Sequence, residues 1–301
     1  MTTSIRVLAA LVTTTVVTAS VYAQGNFDDV EVTSTKLTDH VYMLTGAGGN
    51  VGVLTGDDGV FMVDDQFAPL AERIKTAVRE LSGEPIRYLV NTHWHFDHSG
   101  GNESFGEDGV VIVAHDNVRK RMGRDEFMKL LDREVKASPA AALPQITFAH
   151  RATLHFSGEK VTAFHAPYAH TDGDSFIHFE NANVIHAGDL FFNGNYPFID
   201  TGSGGSIDGM IKGVKRVLAL ANDETRIIPG HGPLASKEDL QAYLTMLETT
   251  RSRVSEMIEK KISLNQVVFR KPLKDLDKTW GNGFMTPERY LRIVYNDLLD
   301  K

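Results

Sequence analysis

Three of the chain's 12 histidines fall within six residues, interleaved with an aspartate as His93-x-His95-x-Asp97-His98. A lone loop histidine is usually a surface or hydrogen-bonded residue. A cluster is different, because imidazoles and a carboxylate packed together cost stability unless a cation or an ion pair compensates. In an extended segment His93 and His95 point to the same side and can chelate one ion. Asp97 and His98, where the chain turns toward a helix, can face a second. The 301 residues include no cysteine, so thiolate ligands, disulfides and a lipid-modified cysteine are excluded. Zinc suits imidazole and carboxylate, and a catalytic zinc keeps a position open for water.

The segments around this cluster are those that would hold it in place. Strands are expected at 41–44, 51–54 and 60–63, with Asp57-Asp58-Gly59 as a hairpin turn. A helix is expected over 69–81, where Leu70, Ile74, Ala77, Val78 and Leu81 share one face and Pro69 sits in the first turn. The short apolar run 86–90 reads as a strand buried on both faces that delivers the chain into the histidine cluster. An amphipathic helix is expected at 125–136, then an Ala/Pro connector at 137–144 bordering the site's mouth, and strands again over 152–186. A helix at 207–220 precedes a strand at 226–228, so strands and a helix occur twice in similar order. After His231 the chain reads as helical, with Leu240, Leu244 and Leu247 at helical spacing and a last helix at 287–299.

Composition is that of an ordinary globular protein, 42% hydrophobic and 23% charged. The formal net charge of −8 argues against a nucleic-acid partner, which needs clustered Lys and Arg. Arg6, the apolar and Thr-rich stretch after it, and Val21-Tyr22-Ala23 read as a secretory signal peptide over 1–23, cleaved after Ala23. The apolar run is interrupted by four threonines and is shorter than the ~20 residues that span a bilayer. The mature chain is expected to be exported, to the periplasm in a Gram-negative host, and to act on a small molecule with no membrane partner. Its oligomeric state is left open.

The run Thr92-His93-Trp94-His95-Phe96-Asp97-His98-Ser99-Gly100-Gly101 resembles the signature loop of the metallo-β-lactamase superfamily. Further matches follow in the family's order: Ala169-His170-Thr171-Asp172-Gly173-Asp174, Ile185-His186-Ala187-Gly188-Asp189-Leu190, and Pro229-Gly230-His231-Gly232. The resemblance implies an α/β (α+β) fold, the αββα sandwich, over 27–235. A helical C-terminal extension, 236–301, would pack on the same domain. It also implies two zinc ions, one on His93, His95 and His170 and one on Asp97, His98 and His231, with Asp189 bridging them. The implied chemistry is hydrolysis by a hydroxide shared between the metals, with Asp97 as the catalytic residue that orients it and moves a proton.

The sequence departs from the family's β-lactamases at the substrate. Where one subclass has a cysteine followed three residues later by a carboxylate-anchoring lysine, this chain has Asp189 and Phe192. An aspartate bridge is characteristic of glyoxalase II and lactonase-like branches, yet a basic glutathione site is not evident. β-Lactamase-like hydrolysis is ranked first because export favours an external substrate, with a lactonase or thioesterase as the alternative. A non-haem iron oxygenase on the same fold is a third reading, against which the intact Asp97, His98 and His231 argue. Phe67, Trp94, Phe96, Phe191, Phe192 and Tyr196 are candidate groove aromatics, with Trp94 and Tyr196 favoured for their polar handles. The remaining histidines, His40, His115, His150, His155, His165, His178 and His186, are read as structural.

Overall fold

The structure is a computed structural model that describes residues 27–299. The expected signal peptide lies outside the described residues. The first strands are β1 (Thr33–Lys36), β2 (Val41–Thr45), β3 (Val51–Gly56) and β4 (Gly59–Val63), an antiparallel meander. Helix α1 (Ala71–Leu81) crosses to β5 (Ile86–Val90), which lies parallel to β4. Short helices α2 (Phe96–Ser99) and α3 (Asn102–Glu107) lead to β6 (Val111–His115) and α4 (Asp116–Met122). A small hairpin, β7 (Glu126–Met128) and β8 (Arg133–Val135), precedes β9 (Ile146–Phe148), which completes a seven-stranded sheet ordered β1-β2-β3-β4-β5-β6-β9.

The second sheet has five strands in sequence order: β10 (Arg151–Phe156), β11 (Glu159–His165), β12 (Ser175–Phe179), β13 (Val184–Phe192) and β14 (Arg226–His231). Here too an antiparallel meander ends in a parallel strand reached through a helix, α5 (Ile207–Leu220). The chain closes with α6 (Lys237–Glu259), α7 (Leu264–Arg270), α8 (Asp277–Trp280) and α9 (Pro287–Leu299).

Strand side chains alternate between faces, so each buried strand feeds two cores. Phe61 and Val63 point inward to meet Ile177, Phe179 and Val184 of the opposite sheet. Val60 and Met62 point outward against Ile74 and Val78 of α1. On the second sheet Phe176 and Ile185 face outward, beneath residues of α5, α6 and α9 such as Val214, Leu247 and Val294. The result is the expected αββα layering, with the C-terminal helices covering the second sheet. Side-chain caps fix the helices after the second sheet's strands: Ser206 accepts from the Gly209 N–H at the start of α5, and Ser236 with Asp239 forms a capping box at the start of α6.

Three sequence expectations need correction. Residues 125–136 form the β7–β8 hairpin rather than a helix, turning through Asp132 at φ +49°. Phe127, Leu130, Leu131 and Val135 imitate helical spacing because the turn carries its apolar residues inward: Leu130 and Leu131 line a cavity beside the histidine cluster. That turn, rather than the 137–144 connector, borders the cavity; within the connector Ala142 accepts a hydrogen bond from the Asn102 side chain. Strand β5 is buried only at Leu89 and Val90, and Arg87 is exposed.

Candidate metal centre

Six of the seven predicted site residues lie at strand ends or in the segments that follow them, and Asp189 lies inside a strand. The chain leaves β5 through Thr92, whose N–H and hydroxyl both donate to the Asp64 carboxylate at the end of β4. This pins the start of a loop that bends at residues 92–94, and the rings of His93 and His95 come to 4.7 Å between centroids. Asp97 and His98 open α2. His170 sits in the β11–β12 loop, which Asp174 staples by accepting from the Thr171 N–H and hydroxyl. Asp189 lies within β13 and His231 ends β14. Two glycines make room: a Cβ at Gly230 would stand 2.0 Å from Asp189 Oδ1, and one at Gly49 would stand 2.1 Å from His98 Cε1.

Three nitrogens converge first. His95 Nδ1 is 3.1 Å from His93 Nε2 and 2.8 Å from His170 Nε2. Donors around a tetrahedral zinc with bonds of about 2.0–2.1 Å stand about 3.3 Å apart, so these nitrogens nearly match one ion's coordination shell. A second group holds His98 Nε2 3.3 Å from His231 Nε2, with Asp97 Oδ2 at 3.9 and 3.4 Å from those two atoms. Asp189 stands between the groups. Its Oδ2 is 3.3 Å from His170 Nε2 and 3.8 Å from His93 Nε2, and its Oδ1 is 3.0 Å from His98 Nε2 and 3.4 Å from His231 Nε2.

The donor set fits a metal better than a hydrogen-bond network. Asp189 has a side chain 5% exposed, yet its Oδ1 accepts no hydrogen bond despite the His98 nitrogen 3.0 Å away. Buried carboxylate oxygens are normally satisfied, and this one is aimed at the point that the imidazoles share. Three triads have donor atoms within 4.8 Å of one another: His93, His95 and His170; His93, His98 and Asp189; Asp97, His98 and His231. All seven predicted residues are thus brought together.

Electrostatics separates the two groups. Burial pushes His93 well below the usual histidine range and His170 down to about 4, which leaves both neutral, the state that binds metal. Burial also disfavours charge on His98 and His231, but the carboxylates of Asp189 and Asp97 outweigh it, raising His98 and taking His231 up to about 9. Desolvation disfavours charge on Asp97 as well, yet the His98 and His231 charges hold its carboxyl below the usual range. Two negative carboxylates therefore draw positive charge to this half of the site, which a dication would supply while displacing the protons.

Sequence reasoning missed the residues that hold the ligands. Asp64 Oδ2 is 2.8 Å from His98 Nδ1, Asp200 Oδ2 is 3.1 Å from His95 Nε2, and the Phe198 carbonyl is 2.6 Å from His170 Nδ1. Each fixes a ring through the nitrogen that faces away from the cluster. Asp64 had a legible signal, an aspartate pair directly after a wholly apolar strand; Asp200 and Phe198 had none. Asp64→Asn is expected to weaken metal binding about 10–100-fold with the fold retained, read by competition with a chelator. Parent-like affinity would show that Asp64 does not position His98.

Beside the cluster lies a cavity of about 670 Å³, of a size that suits a small-molecule substrate. Phe67, Phe96, Phe192 and Tyr196 line it, as expected. Trp94 and Phe191 instead belong to the core, Trp94 being 4% exposed. Trp94 lies between two residues of the His/Asp cluster in a bent loop, and its ring packs into the core. Phe198 and Phe284 are lining aromatics that the sequence did not reveal. Of the other histidines, His186 contacts the Asn50 carbonyl at 3.0 Å, while His115 and His165 stack at 3.6 Å outside the cluster.

The family model described as the metallo-beta-lactamase superfamily matches residues 44–231. The chain belongs to this superfamily. Superfamily members are metal-dependent hydrolases, and the His/Asp cluster lies where this chain can bind metal. The chain is 22% identical to the 2,4-dinitroanisole O-demethylase subunit alpha of Nocardioides sp. over 73% of its own length and 63% of that protein. It therefore spans less than two thirds of that relative. It is 23% identical to a hydroxyacylglutathione hydrolase of Hyphomonas neptunium, over 79% of this chain and 84% of that one. An N-acyl homoserine lactonase of Bacillus thuringiensis is 30% identical over 29% of this chain and 41% of its own. Among solved structures, a metallo-beta-lactamase from Pontibacter korlensis shares the fold with TM-score 0.60 at 17% identity, covering 72% of this chain and 99% of that one. The sec-alkylsulfatase Pisa1 from Pseudomonas sp. covers 88% of this chain and 50% of its own, with TM-score 0.67 at 16% identity.

Proposed function

We propose that this protein is a two-zinc hydrolase that opens an ester, lactone or thioester carbonyl in the cavity beside its His/Asp cluster. The observation that carries this reading is Asp189, whose two oxygens each face a different group of imidazoles. His93, His95 and His170 would hold one zinc, Asp97, His98 and His231 the other, and Asp189 both. Bound there, zinc lowers the pKa of water toward neutrality and polarises a carbonyl oxygen.

The chain's own residues then do the rest. Asp97, kept ionised beside His98 and His231 and 23% exposed toward the cavity, accepts the proton that water loses as its oxygen bonds to the carbonyl carbon. The same carboxyl returns that proton to the leaving oxygen or sulfur as the acyl bond breaks. Phe192 lies flat against His231, with ring centroids 5.2 Å apart and planes at 15°, and holds that imidazole in place. Apolar walls keep bulk water away from the reacting carbonyl.

The named activities of the lactonase and hydroxyacylglutathione hydrolase relatives support the ester-type reading. β-Lactam opening becomes the second reading. Its support was the expected export, and Phe192 occupies the place of a carboxylate-anchoring lysine. The test is kcat/KM on an aryl ester, an acyl-homoserine lactone, a glutathione thioester and a chromogenic cephalosporin. The ester-type substrates should lead; a cephalosporin turned over faster than all of them would reverse the ranking.

We also propose that the chain is exported. Protein recovered from the native host is expected to begin at Gln24 on N-terminal sequencing, and an intact Met1 would refute this.

A further inference from the structure

The cavity wall beyond the metal cluster carries two cations without counter-ions. Arg133 of β8 lies 4.0 Å from the Phe96 ring centroid, and Arg289 of α9 lies 5.0 Å from that of Phe284; all four residues line the cavity. Basic groups nearby are neutralised: Arg121 pairs with Asp172, Lys136 with Asp125, and Arg292 with Glu288. Among the described residues Arg133 and Arg289 enter no ion pair, although Asp132 shares the rim with Arg133.

Each guanidinium ends a file of aromatic rings, and the file under Arg289 reaches the histidine cluster. Phe96 stands between His95 and Asp97 in sequence and packs 5.8 Å from Phe67. Phe284 meets Phe198 at 6.4 Å, and Phe198 lies 5.8 Å from His95 and 5.7 Å from His170. Stacking on a ring orients a guanidinium while leaving its N–H edge free, and that planar edge binds an oxyacid anion through two parallel hydrogen bonds. The same cavity is lined by the apolar side chains of Met128, Leu130, Leu131 and Met285. In a chain of net charge −8, unpaired cations at a cavity mouth attract anions selectively.

We propose that Arg133 and Arg289 set specificity for a substrate with an apolar body and one anionic oxyacid group, a carboxylate, sulfonate or sulfate, held at the rim while the scissile carbonyl lies at the metals. This names a substrate class for the acyl-hydrolase reading above and rests on it for the reaction only. Arg289, Phe284 and Met285 come from the C-terminal segment, which lies outside the matched residues 44–231.

The test is calorimetric titration of the full chain, zinc-loaded and chelator-treated, with 1-octanesulfonate and with neutral 1-octanol. Octanesulfonate is expected to bind about tenfold more tightly than octanol in both forms. Arg133→Gln and Arg289→Gln should each remove part of that preference and the double variant all of it, with octanol affinity unchanged as proof of an intact cavity. Lys212→Gln, on α5 away from the cavity, should leave the ratio as in the parent. Equal affinities in the parent, a preference that survives in the double variant, or one confined to the zinc-loaded form would overturn the proposal. If the preference follows the arginines while no ester-type substrate or cephalosporin is hydrolysed, the anion site stands and the hydrolase reading fails.

Discussion

Asp97→Ala is expected to lower kcat by about 10²–10⁴-fold, the range associated with a positioned proton-transfer group, while the circular dichroism and thermal midpoint stay close to the parent's. The fold depends little on this side chain. It projects from the first turn of α2 and is 23% exposed, whereas the core lies in the three apolar clusters between and outside the sheets. The chemistry depends on it more. Asp97 is the carboxylate at 3.4 Å from His231, kept ionised by the neighbouring imidazoles, and it opens onto the cavity. Asp97→Asn keeps the shape and loses the charge, so it should be nearly as impaired. An Asp97→Ala enzyme with parent-like kcat at saturating zinc would remove Asp97 from the reaction.

Asp189→Asn is the second large effect, and it should appear in metal binding before chemistry. The aspartate has two charged oxygens, one at 3.0 Å from His98 Nε2 and the other at 3.3 Å from His170 Nε2. Asparagine offers one neutral oxygen, so it cannot serve both groups. The group of His93, His95 and His170 retains three nitrogens within 4.8 Å, whereas the other keeps two imidazoles and Asp97. The variant should therefore hold one zinc firmly and bind the second at least about 10–100-fold more weakly, with activity restored by added zinc. The deficit should be larger for a β-lactam, whose leaving nitrogen needs the second metal, than for an activated aryl ester. Two zinc ions bound as tightly as in the parent, with equal rates on both substrates, would make Asp189 a structural residue only.

How far such features could be read in advance depended on whether the signal was local. His93, His95, Asp97 and His98 are adjacent in sequence, and the structure brings their ring nitrogens and carboxylate together as the spacing implied. His170, Asp189 and His231 were reachable through the resemblance, because the strands that carry them are far apart in the chain. The alternation that places Phe61 and Val63 on one face of β4 and Val60 and Met62 on the other was also legible. The β7–β8 hairpin was not, since its strands have only three residues each, too few to show period two, and its turn buries apolar side chains. Asp200 reaches His95 from 105 positions away, and no short-range pattern encodes that contact. Nothing local in the sequence marks Arg133 and Arg289, because the rings they lie over, Phe96 and Phe284, are brought to them by the fold.

Metal content and activity followed together through chelation and zinc readdition test the central claim most directly. The purified chain should hold close to two zinc ions, lose ester hydrolysis as they are removed, and recover it in proportion to zinc restored. Full hydrolysis by exhaustively metal-free protein would contradict the account.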